Sequence, residues 1–144
     1  MESNMSELNL SGSCLCGSVA YEITGTSRYF FHCHCSRCRK ATATGHASNI
    51  IMQPDSVKWI AGENLLKSYK IPEAERFMTV FCSNCGSLMP RVAPDNSIAV
   101  VPAGTLDNDP GIRPQARIMG GSRAGWSCDA SELPVFDTYP PPGD

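Results

Sequence analysis

The segment at residues 33–38 reads CHCSRC, and two shorter cysteine groups flank it in the chain: CLC at residues 14–16 and CSNC at residues 82–85. These groups hold seven of the eight cysteines. A disulfide between close neighbours closes only a short loop and therefore stabilises little. No secretion signal precedes the first group, and cytosolic thiols are normally kept reduced. The spacing therefore predicts metal ligands rather than disulfides.

Zinc is the metal that these cysteine groups favour. Thiolates are soft ligands, and structural zinc is commonly held by four of them in a tetrahedron. An iron–sulfur cluster uses the same ligand type and is the alternative, but the chain lacks a regular run of four cysteines.

Length and charge restrict the remaining possibilities. The 144 residues fit one domain, expected over residues 12–142, with tails at 1–11 and 143–144. The formal net charge is -2. Such a chain has no basic field for a nucleic-acid backbone or an acidic membrane surface, so neither partner is expected. The polar N-terminus and the absence of a long apolar stretch predict a cytoplasmic location.

The pattern between the cysteines predicts a mainly β protein with little helix. Residues 17–24 alternate and place Val19, Tyr21 and Ile23 on one face. Residues 25–27 are expected to end this strand. Residues 36–44 are expected to form one or two helical turns that end at Gly45. The predicted strands are 17–24, 28–34, 47–52, 56–60, 65–71, 76–81, 87–92, 97–101 and 116–119.

Alternation along a strand divides the cysteines between two sites. Cys33 and Cys35 point to one side, and His32 and His34 point to the other, so neither histidine suits the ion that these cysteines hold. Cys38 joins them if the chain turns after Cys35. The outer groups supply two thiolates each and complete one four-sulfur site, whereas three thiolates leave a coordination position open, as in catalytic zinc sites.

Two other residues compete for that open position. Cys128 or His46 could provide a fourth ligand and make the second site structural. The alternative for Cys128 is an ordinary buried side chain. The alternatives for His46 are a solvated loop residue or a general acid/base beside the site.

The ordered cysteine groups resemble the glutathione-dependent formaldehyde-activating enzyme family, which includes centromere protein V. Segments after the cysteines are also similar to that family. The matching segments are GSCLCG at 12–17, CHCSRCRK at 33–40, FCSNCGS at 81–87, PAGTLD at 102–107, SRAGW at 122–126 and LPVF at 133–136.

The resemblance implies an Mss4-like, or β-tent, fold of antiparallel sheets that a structural zinc holds together. By motif, the ligands of that zinc would be Cys14, Cys16, Cys82 and Cys85. The ligands of a second, catalytic zinc would be Cys33, Cys35 and Cys38. The implied activity is that of a carbon–sulfur lyase, which joins formaldehyde to glutathione as S-hydroxymethylglutathione, so a small thiol and a small aldehyde are the expected partners.

Cations beside the third group are candidates for substrate binding. Arg39 and Lys40 directly follow Cys38 and could attract an anionic thiol such as glutathione, although exposed surface cations would look the same in sequence. Trp126 and Phe136 are expected to pack in the core beneath the sites. The alternative to an enzyme is an interaction module in which both zincs are structural.

Overall fold

Two antiparallel sheets form the protein in a computed structural model that describes residues 2, 5–128 and 130–143. One short helix, α1, is Ser36–Thr42, and short 3₁₀ turns lie at Glu63–Leu65, Ala103–Thr105, Gly120–Ser122 and Ala130–Glu132. The expected mainly β architecture is confirmed. The strands are β1 Glu7–Ser13, β2 Ala20–Cys33, β3 Ala47–Ala61, β4 Leu66–Lys70, β5 Met78–Cys82, β6 Leu88–Met89, β7 Arg91–Val92, β8 Ala99–Pro102 and β9 Ala116–Ile118.

The larger sheet has the order β1-β2-β3-β8-β7, with β9 added in parallel to β2, and the smaller sheet has the order β4-β5-β6. The long central strands of the larger sheet are β2 and β3, of 14 and 15 residues. Each was expected as two strands, and that prediction is wrong. Register shifts absorb the irregular residues, and Gly25 lies so close to Pro54 that a side chain there would clash.

Strand β1 corrects the expected boundary of the domain. It begins at Glu7, inside the segment 1–11 expected as a tail, and Leu8 and Leu10 are buried. These two alternate leucines face the core while their neighbours face solvent, which is a strand pattern. Residues 1, 3, 4 and 144 of the expected tails lie outside the described residues.

The chain changes sheet at Pro90. The strand expected over 87–92 is two short strands: β6 pairs with β5 in the smaller sheet, and β7 pairs with β8 in the larger one. Proline has no N–H to donate to a ladder, so it ends the first pairing and permits the change of direction. The crossing joins the two sheets next to the last cysteine group.

The core lies on one face of the larger sheet. Val19, Tyr21 and Ile23 are buried as the alternation predicted. Trp126 and Phe136 are 71% and 48% exposed, so the expectation that they pack in the core is wrong. Both belong to the segment that follows the last strand and has no ladder to hold it against the sheet.

Tyr21 should make stability fall at alkaline pH. Its hydroxyl is 2.6 Å from Oγ1 of Thr105 and donates to it, because the Thr105 hydroxyl itself donates to the carbonyl of Pro102. Burial raises the pKa of Tyr21 from 10.0 to about 12. The protonated phenol therefore stabilises the fold below pH 10, and this contribution is lost as the pH rises towards 12.

The measurement is urea unfolding of the wild type and of Tyr21→Phe between pH 9 and 12. The difference in unfolding free energy between them should change by on the order of 2–3 kcal/mol over this range, the equivalent of a shift of about two pKa units. A difference that stays constant with pH would contradict the prediction.

Candidate metal centres

The four-cysteine cluster consists of Cys14, Cys16, Cys82 and Cys85. Their sulfur atoms all lie within 4.8 Å of one another. The Cys14 sulfur is 3.6 Å from that of Cys16, which is 4.0 Å from that of Cys82. A tetrahedral zinc with bonds of about 2.3 Å separates its sulfurs by about 3.8 Å. The geometry therefore fits a single zinc ion.

Two tight turns place these sulfurs. Cys14 follows β1 and Cys82 ends β5, and in each turn a glycine donates its N–H to the cysteine carbonyl: Gly17 to Cys14 at 3.0 Å and Gly86 to Cys82 at 2.7 Å. Both glycines have a positive φ that favours glycine. The sequence therefore needs a glycine after each cysteine pair to turn the chain around the site.

Polar neighbours favour the thiolate form at two of these four cysteines. Hydrogen bonds with Ser87 lower the pKa of Cys85 to about 5. Hydrogen bonds from Ser18 and Asn84 lower the pKa of Cys16 to about 7. Since metals bind the thiolate and not the thiol, these contacts favour the binding form of Cys85 and Cys16, whereas burial and hydrogen bonds with the neighbouring thiols raise the pKa of Cys82.

The three-cysteine cluster consists of Cys33, Cys35 and Cys38, whose sulfurs also lie within 4.8 Å of one another. Cys33 ends β2, Cys35 is the N-cap of α1, and Cys38 lies in the helix. The Cys35 sulfur accepts a hydrogen bond from the Cys38 backbone N–H at 3.2 Å. The helical turn thus brings Cys38 back beside the other two. No fourth Cys, His, Asp or Glu ligand atom among the described residues joins this group.

Burial and hydrogen bonds act in opposite directions on these thiols. Burial raises the pKa of Cys38 well above its ordinary value. Burial acts in the same direction on Cys35, but hydrogen bonds from Cys38 and the neighbouring thiols outweigh it and lower the Cys35 pKa. Three thiols this close together do not all ionise unless a cation compensates for the negative charge. A bound metal ion would supply that charge and stabilise all three thiolates.

A cavity of about 950 Å³ opens beside the three-cysteine cluster. His46, Ser48, Phe77 and two arginines, Arg37 and Arg91, contribute to its lining. Among the described residues, no aspartate or glutamate contributes to the lining. It therefore combines thiols, one histidine and positive charge, and it suits an anionic molecule that reacts at sulfur.

Three histidines pack together at one side of this cavity. The ring of His46 is 4.0 Å from that of His32 and 5.3 Å from that of His34. The Ser48 hydroxyl lies 3.0 Å from Nδ1 of His32 and 3.3 Å from Nδ1 of His46. His34 is fully buried, and its Nε2 accepts from Arg117 at 3.2 Å because a guanidinium has no acceptor. Burial lowers the pKa of both His32 and His34, so the neutral rings are favoured.

The structure does not place the predicted substrate-binding cations in the cavity. Arg39 is absent from its lining, and Lys40 lines only a shallow adjoining groove together with Arg37 and Phe77. Cys128 is exposed rather than buried, and it is not part of either cysteine cluster. The cavity arginines were missed: Arg91 reaches the site because of the sheet change at Pro90, and a proline in the sequence marks a break in a strand but not which strand the chain pairs with afterwards.

Fold and clusters together define a cysteine-rich β protein that could hold metal ions at two sites. Residues 9–122 match the family model described as glutathione-dependent formaldehyde-activating enzyme, and the chain belongs to this family. The predicted resemblance is therefore confirmed, with its Mss4-like fold. Among curated proteins, none matches the sequence significantly. No described helix is both long and apolar enough to cross a membrane.

A solved structure of a Rhodobacter sphaeroides protein is similar to this chain. Its TM-score is 0.53 at 20% sequence identity, and the match covers 74% of this chain and 97% of that chain. At this identity the likeness indicates a common fold.

Proposed function

We propose that this protein is a zinc-dependent carbon–sulfur lyase that forms and cleaves the adduct of a small thiol and a small aldehyde, such as S-hydroxymethylglutathione. The observation that carries the proposal is the three-cysteine cluster at the wall of a cavity of about 950 Å³. The four-cysteine cluster would hold a second, structural zinc. Seven reduced cysteines suit the cytoplasm, where we place the activity.

The proposed reaction is a reversible addition. The thiol sulfur forms a bond to the aldehyde carbon, and the thiol proton passes to the carbonyl oxygen; cleavage reverses both steps. A zinc ion held by Cys33, Cys35 and Cys38 would supply a Lewis acid with one position for a thiolate or a carbonyl oxygen.

We assign the transfer of the thiol proton to His46. It lines the cavity with the three cysteines, and its Nδ1 lies 3.3 Å from the Ser48 hydroxyl. That contact, together with the packed ring of His32, fixes the imidazole. A fixed imidazole can accept the thiol proton and return it to the oxygen, which is ordinary general acid–base catalysis.

The test combines metal content with exchange kinetics. We expect two zincs per chain by elemental analysis, and a faster exchange between formaldehyde, glutathione and their adduct, measured by NMR exchange spectroscopy. Cys38→Ser, which should keep the fold and the structural zinc, is the matched control and should leave the exchange close to its uncatalysed rate.

The opposite outcome would favour an interaction module. Two zincs that glutathione neither labilises nor contacts, with no faster exchange, would contradict the lyase. The module has one observation in its favour: the segment after residue 122 leaves Trp126, Val135 and Tyr139 71%, 89% and 90% exposed.

A further inference from the structure

The charge of the cavity is one-sided. Arg37 and Arg91 are its only charged lining residues among those the structure describes, and Glu73 lines the adjoining groove with Arg37 but not the cavity itself. A divalent metal held by three thiolates would itself leave the site negative, and an incoming thiolate would add to that. These two cations therefore bear on which thiol the cavity accepts, an inference that rests on the proposed function.

Arg91 is held in place on three sides. It lies on β7 directly after the buried Pro90, and its Nη1 donates to the carbonyl of Met78 at 2.9 Å. Its guanidinium carbon is 5.9 Å from the centre of the Phe77 ring, a cation–π distance. Burial lowers its pKa, while the nearby Cys38 thiolate favours the charged form. Arginine keeps its charge in such a setting, so a fixed cation lies close to the three-cysteine cluster.

Arg37 approaches the same ring. Its guanidinium carbon is 6.0 Å from the centre of Phe77, and the residue lies in α1 between two of the three cysteines. Arg37 is exposed, whereas Arg91 is half-buried. Two guanidinium groups thus lie near the ring of Phe77 at one wall of the cavity, one half-buried and hydrogen-bonded and the other exposed.

We propose that Arg91, assisted by Arg37, binds a carboxylate of the substrate, and that it makes the protein select thiols that carry an acidic group. A guanidinium pairs with a carboxylate through two parallel hydrogen bonds, and such pairs are stronger than neutral ones. Arg91 makes only one hydrogen bond among the described residues, so its remaining donors are available. No aspartate or glutamate of the described part of the chain lines the cavity, so the substrate is the source of the carboxylate that we assign to Arg91.

The test measures binding of two small thiols to zinc-loaded protein by isothermal titration calorimetry. 3-Mercaptopropionate and 2-mercaptoethanol share the thiol and differ in the carboxylate. The wild type should bind the acidic thiol at least about tenfold more tightly, the effect expected of one charge-assisted pair. Arg91→Gln should reduce this ratio to about one, and Arg91→Lys should restore part of it.

Arg113→Gln is the matched control, because Arg113 is an exposed arginine paired with Asp109 at 2.9 Å outside the cavity. It should keep the wild-type ratio. Zinc content and the circular dichroism spectrum should be the same in every variant. A change in thiol binding can then not be attributed to misfolding. If both thiols bind the wild type equally, or if Arg91→Gln keeps the preference, the inference is overturned while the proposed function stands.

If neither thiol binds the zinc-loaded wild type, the proposed function fails and the carboxylate site is judged alone. The probe is then 3-(methylthio)propionate, which has the acid but no free thiol, titrated by NMR. Binding to the wild type that Arg91→Gln abolishes would support the site. No binding, or equal binding to both proteins, would overturn it.

Discussion

Cys14→Ser should unfold the protein. Cys14 is buried at 5% exposure, its sulfur accepts from the Val19 backbone N–H at 3.2 Å, and it lies among the four sulfurs that fit one ion. Structural zinc contributes on the order of 10 kcal/mol in small metal domains, which is comparable to the whole stability of a typical domain. Circular dichroism should show no cooperative melting transition, and Cys85→Ser should behave alike.

Cys128→Ser is the matched control for this experiment. It makes the same atomic change at a cysteine that is exposed and outside both clusters. Its melting temperature should equal that of the wild type. Should Cys14→Ser also melt like the wild type, the four-cysteine cluster would not be a structural metal site.

Cys38→Ser should keep the fold and lose the metal of the three-cysteine cluster. The four-cysteine cluster connects the turn after β1 to the turn after β5, whereas the three-cysteine cluster lies at the wall of the cavity and connects no two strands of different sheets. We therefore expect the sheets to form without it. We expect one zinc per chain. The adduct exchange should slow by at least about a hundredfold, because changing even a group behind a metal ligand costs about 10- to 100-fold.

The melting temperature of Cys38→Ser tests the division between the two sites. It should stay within a few degrees of the wild-type value, in contrast to Cys14→Ser. A Cys38→Ser protein that still holds two zincs would show that the ligands have been assigned wrongly. A protein that unfolds would show that both sites are structural.

What the sequence could predict is what lies close in the chain. Cys33, Cys35 and Cys38 are near neighbours, and strand alternation followed by one helical turn brings them together whatever the rest of the fold does. The alternation at Val19, Tyr21 and Ile23 likewise identified core positions because a strand has two faces. The pairing of the outer cysteine groups followed from counting ligands for a tetrahedron.

The long-range features could not be predicted in this way. Gly25 and Pro54 predicted strand ends. Instead β2 and β3 continue through bulges, because each strand has pairing partners along its length. Arg39 and Lys40 adjoin Cys38 in sequence, but successive helix residues point in different directions, and neither lines the cavity. Arg91 lines it only because the chain crosses between sheets at Pro90.

The two clusters also differ in how far apart their ligands lie along the chain. The three-cysteine cluster is contained in residues 33–38, whereas Cys16 and Cys82 are separated by 66 positions. If both clusters bind metal, an unfolded chain would need to close only a short loop to bind an ion at the three-cysteine cluster, whereas the four-cysteine cluster would require the closure of a long loop, with its cost in entropy. Metal uptake by the four-cysteine cluster would then be coupled to completion of the fold. During refolding with limiting zinc, a chain charged only at residues 33–38 would be the early species, one that already carries metal while its sheets are still unassembled.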